Sequence, residues 1–164
     1  MVDQQFMVLM GSPYLLAHGA GTPVAPARTD ITIPEDGIYQ VWVRTYNWTA
    51  PWTSQPGPGK FKVRIGRKLL GATVGDTGQG WEWQCAGKLR LRKGPTSLAL
   101  EDLTGFDGRC DAVYLTDRPG DVPPADAEKL AAFRRQASGT GAPREEPFAF
   151  EVLGGGIAGM CGAV

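Results

Sequence analysis

Histidine is nearly absent: His18 is the single one in 164 residues. That argues against a histidine-based metal site or a catalytic triad built within this chain. Cysteine is scarce too, and Cys85, Cys110 and Cys161 form neither a metal-ligand spacing nor an even disulfide set. Charge of one sign is missing, since 17 basic residues balance 17 acidic ones. No basic field therefore exists to gather nucleic acid or an anionic membrane, and neither partner is expected. No apolar run approaches the ~20 residues of a spanning helix. The opening Met1-Val2-Asp3-Gln4-Gln5 lacks the basic n-region and apolar core of a signal peptide, so no compartment is assigned.

What is abundant is glycine and proline, 23 and 13 residues, as expected of many short strands joined by tight turns. Thr29 to Ile33 alternates into the turn Pro34-Glu35-Asp36-Gly37. Tyr39, Val41 and Val43 share one strand face, with Gln40, Trp42 and Arg44 on the other. Phe61-Lys62-Val63-Arg64-Ile65 repeats the pattern, and its basic residues read as a solvated face. Gly66-Arg67-Lys68 suits a hairpin turn. Leu89 and Leu91 alternate with charges, Gly94-Pro95 turns into Leu98-Ala99-Leu100, and Ala112-Val113-Tyr114-Leu115 reads as a strand buried on both sides. The spacing predicts a mainly β domain over residues 1–118, a jelly-roll-like β-sandwich.

Residues 119–147 read as a linker with one helix. Pro123-Pro124 suits a helix start, Ala127, Leu130 and Phe133 recur at helical spacing, and Gly139 suits a stop. Lys129, Arg134 and Arg135 are expected on its wet face, and Ser138 to Pro147 as a tether. From Phe148 the chain reads as strand, glycine loop and helix start. Gly154-x-Gly156-x-x-Gly159 has the dinucleotide spacing. Its glycines permit the sharp turn, the approach of a pyrophosphate to bare backbone, and close packing of helix on strand, with Met160 to Val164 expected as the helix start. An acidic residue that would grip the ribose belongs ~20 residues further on.

Several segments carry a resemblance. Tyr39 to Thr45 with Asn47-Trp48 and Ala50-Pro51-Trp52, then Gly80-Trp81-Glu82-Trp83, and above all Leu100 to Asp111, resemble a bacterial family of FAD-dependent oxidoreductases. So do Asp3 to Met7 and Gly11 to Gly19. In that family a β-sandwich of the xanthan lyase and golvesin type precedes the FAD-binding Rossmann domain. The resemblance implies that residues 148–164 are the truncated start of the FAD domain and that the chain is a fragment shortened at both ends. It also implies that Gly154, Gly155, Gly156, Ala158 and Gly159 would contact FAD in the full-length parent. The fragment alone is expected to bind no FAD and to catalyse nothing; its partner would be the FAD domain it lacks.

The aromatics Tyr46, Trp48, Trp52, Trp81 and Trp83 are unusually dense. One reading is a carbohydrate platform, rings under the sugar and Asn47, Gln55 or Arg44 at its edges. The other is packing against a loop or a neighbouring domain. Glu101, Asp102, Asp107 and Asp111 are weak candidates for calcium. Turn chemistry explains them better, with Arg109 available to neutralise one carboxylate. His18 reads as a hydrogen-bonded loop residue, Cys85 and Cys110 as a pair only if their strands adjoin, and Cys161 as a packing residue.

Overall fold

The computed structural model describes residues 2–3, 14–137, 149–153 and 157–162. Two antiparallel sheets face each other. The smaller is built from β3 (Ala27–Ile33), β5 (Phe61–Ile65), β6 (Lys68–Leu69) and β8 (Gly94–Asp102), in the order β3, β8, β5, β6. The larger holds β1 (Val2–Asp3), β2 (Tyr14–His18), β4 (Gly37–Tyr46), β7 (Trp81–Leu91), β9 (Phe106–Thr116), β10 (Ala149–Leu153) and β11 (Ile157–Gly162). β9 lies at its centre. One side pairs with β4; the other pairs with β2 near Phe106 to Cys110 and with β11 along Ala112 to Leu115.

Alternation puts the core where the period of two requires it. Tyr39, Val41 and Val43 from β4, Val113 and Leu115 from β9, and Ala86 and Leu89 from β7 face Ile31, Ile33, Phe61, Val63, Ile65, Leu98 and Leu100 of the other sheet. Gly66 and Arg67 form the two-residue turn between Ile65 and Lys68, and the +55° φ of Gly66 supplies the left-handed backbone such a turn needs.

Two bulges reset the outer face of the large sheet. On the β4–β7 pairing the register shifts between Val41 and Trp42. On the β4–β9 pairing Arg44 opposes Ala112 while Thr45 opposes Cys110, so Asp111 is the extra residue. Cys110 stays in the core, and Asp111 reaches Arg44 on the other side.

A single described helix, α1 (Ala127–Ala137), covers that outer face. Asp126 caps it, accepting from the Lys129 N–H at 3.0 Å. Pro123 and Pro124 therefore precede the cap rather than forming the first turn. Leu130 is buried and Phe133 packs on Tyr114, at the helical spacing the sequence predicts. Arg134 departs from the wet face expected of it. Its side chain is 12% exposed and pairs with Asp111.

The C-terminal reading needs one correction. β10 forms where a strand is expected, but residues 157–162 are strand β11, not the start of a helix. Gly159 and Gly162 each cost a helix roughly 1 kcal/mol, whereas the edge of β9 offers unpaired main-chain groups to a strand. Gly154, Gly155 and Gly156, with the tether and Gly139, lie outside the described residues.

Candidate functional site

The five aromatics singled out from the sequence do not form one platform. Tyr46 stacks on Trp81 at 5.4 Å, and the fully buried Tyr14 meets Trp81 edge-on at 5.0 Å. The Arg44 guanidinium lies 5.7 Å from the Trp81 ring.

Trp83 belongs to a second group, with Trp42, Tyr114 and Phe133. Its indole N–H donates to the Pro124 carbonyl at 3.0 Å, and its ring meets Tyr114 edge-on at 6.4 Å. The linker thus covers Trp83 as a ligand would. Tyr114 donates its hydroxyl to Asp121 at 2.7 Å, and Thr116 donates to the same oxygen at 2.8 Å. Burial, with the Asp121 carboxylate adding to it, pushes the Tyr114 hydroxyl up to about 12.

Between these groups sits a buried charge cluster. Arg44 Nη1 donates to Asp111 Oδ2 at 3.0 Å, and Arg134 of α1 donates to the same oxygen. Asp111 is 1% and Arg44 5% exposed. Burial pulls the Arg44 guanidinium down, and Asp111 opposes that shift. Arg44 is therefore not available at a sugar's edge. Asn47 is buried too, its side-chain oxygen accepting from the Thr49 amide and hydroxyl.

Trp48 and Trp52 form the third group, 6.3 Å apart and edge-to-face. Trp52 is 76% exposed, the most open large apolar side chain among the described residues. Trp48 donates its N–H to the Phe106 carbonyl at 3.1 Å, and the buried Arg109 guanidinium lies 5.7 Å from its ring. Of the five aromatics, Trp52 is the one among the exposed large apolar side chains.

The acidic candidates separate. Asp102 accepts from the main-chain N–H groups of Thr104 and Gly105, which is turn chemistry, and from that of Val24 on a distant segment. Asp107 pairs with His18 at 2.6 Å, and Asp111 with the two arginines. Glu101 pairs with Arg64, whose hydrogen bond holds its carboxyl below the usual range. No group of metal-ligating side chains converges among the described residues. The guanidinium of Arg109 donates to the Asp107 main-chain carbonyl. His18 closes strand β2 rather than lying in a loop, and Cys85 and Cys110 are both free thiols.

Of the dinucleotide-loop residues, Ala158 and Gly159 fall in β11. They oppose Leu153 and Val152 on one side and Tyr114 and Val113 on the other. A pyrophosphate needs a helix N-terminus with free N–H groups at that point. The arrangement offers extended, paired backbone instead and does not fit the diphosphate of FAD.

The fold is a two-sheet antiparallel sandwich. Among solved structures the chain is similar to a family 35 carbohydrate binding module from an environmental isolate. There the TM-score is 0.52 at 18% identity, over 77% of this chain and 88% of that one. A ruminal GH26 endo-beta-1,4-mannanase aligns with TM-score 0.43 at 18% identity, over 59% of this chain and 19% of the mannanase. No family model matches the sequence. No curated protein matches it either.

Proposed function

We propose that the sandwich is a non-catalytic binding module that takes carbohydrate at the Trp48–Trp52 corner. One observation carries the reading: two neighbouring indoles, one of them 76% exposed, stand on a loop at the end of β4. An apolar pyranose face stacks on such rings while its hydroxyl edges reach the polar groups beside them. Residues 49–59 add Thr49, Thr53, Ser54 and Gln55 but no Leu, Ile, Val or Met, so the rings stand in a polar frame. The test is glycan-array binding by the whole chain. Trp52→Ala is expected to lower affinity about tenfold, from the lost apolar contact, while Trp83→Phe leaves it unchanged. Equal loss in both variants would refute the placement.

A second reading is compatible with the first: the sandwich is the accessory domain of an FAD-dependent oxidoreductase. The Gly154-x-Gly156-x-x-Gly159 spacing supports it, because β10 ends at Leu153, directly ahead of the loop. In that setting residues 157–162 would leave β9 for a helix once a parallel sheet takes up β10. Reading the gene past Val164 tests it. An acidic residue closing a second strand ~20 residues beyond the loop is expected, and a continuation without further strand-helix units would sink it.

A further inference from the structure

We infer that the binding surface runs on from Trp48 and Trp52 to Phe106 and the His18–Asp107 pair, so that it takes a run of neighbouring pyranose rings rather than a single one. This rests on the carbohydrate reading above and deepens it.

Phe106 opens the central strand β9, yet its side chain is 48% exposed. The tip of its ring lies against Gly21. A Cβ on Gly21 would come 2.9 Å from the ring's Cζ, and its φ is +90°, so glycine suits this close approach of the turn to the ring. That turn is held in place by the Gly19 and Gly21 N–H groups, which donate to the Gly105 carbonyl at 2.9 and 3.3 Å. Beside the ring lie the two left-handed non-glycine residues of the described chain, Ala20 at φ 50° and Asp107 at φ 58°. Alanine gains nothing from that conformation, so the surroundings must impose it. Strain gathered around one outward phenyl is the mark of a surface shaped for contact.

The strand start adjoins the indoles at the main chain, since Trp48 donates to the Phe106 carbonyl. At its rim His18 Nδ1 meets Asp107 Oδ1 at 2.6 Å, with the two side chains 53% and 27% exposed. The pairing leaves His18 Nε2 and Asp107 Oδ2 with no partner among the described residues. One donor-or-acceptor nitrogen and one acceptor oxygen beside an exposed ring match the hydroxyl edge of a sugar whose face rests on that ring.

The test uses the whole chain and tryptophan fluorescence, with β-1,4-linked glucose, xylose and mannose hexaoses against their monosaccharides. A preferred hexaose is expected to bind about tenfold more tightly than its monosaccharide, by the added ring contact. Phe106→Ala should remove that advantage and leave monosaccharide affinity as it was. Asp107→Gly, where glycine suits the backbone, should weaken the hexaose several-fold without harming the fold. Hexaose binding untouched by both variants would overturn this inference alone. Failure of the unsubstituted chain to bind any hexaose would overturn the carbohydrate reading and this inference together.

Discussion

Replacing Asp111 by Asn removes one negative charge from between two guanidiniums without changing the shape of the side chain. The carboxylate is 1% exposed and Arg44 5%, so water cannot take its place. Arg44 and Arg134 would then lose the carboxylate they share. Breaking a buried pair by removing one partner costs about 3 to 5 kcal/mol. That is a large part of the 5 to 15 kcal/mol typical of a domain. Urea denaturation followed by tryptophan fluorescence measures the loss. Arg134→Met leaves the Arg44–Asp111 pair in place and should cost less, and the combination with Asp111→Asn should cost less than the sum. A loss under about 1 kcal/mol for Asp111→Asn would show that the cluster is hydrated and that the helix does not depend on it.

Two further outcomes follow from the geometry. The Tyr114 hydroxyl is raised from 10 to about 12 in the fold, so its contribution is whole below pH 10 and fades as pH rises toward 12. Burial raises the Tyr39 hydroxyl as well, so phenolate absorbance should show more than one late step, and Tyr114→Phe should remove the one near pH 12. Gly105→Ala places a side chain at φ +68° with its Cβ 2.1 Å from the Thr22 carbonyl oxygen. It should cost about 1 to 3 kcal/mol, visible as a lower urea midpoint, and no change would mean that the turn yields freely.

The paired sheets were legible because alternation is a local signal. Tyr39, Val41 and Val43 announce their face within five residues, and so do Phe61, Val63 and Ile65. Bulges are not local. Nothing in Arg109 to Val113 says that Asp111 is the extra residue, because the shift exists only against Arg44 and Thr45 of another strand. For the same reason Arg134 looked like a solvated helix charge: its partner is 23 residues away. For Trp83 the sequence left platform and packing open, because Pro124, whose carbonyl takes its N–H, is 41 residues away. Met160 to Gly162 read as a helix start from a nearby glycine spacing, but the open edge of β9 decided otherwise. Phe106 escaped notice because a lone phenylalanine at a strand start is ordinary until its exposure is known.

The hold of the sheet on Trp83, Tyr114 and Asp111 has a mechanical result. Residues 117–137 are held on the outer face of the large sheet at four separate points, Asp121, Pro124, Phe133 and Arg134, so this stretch peels away only when contacts to both β7 and β9 break together.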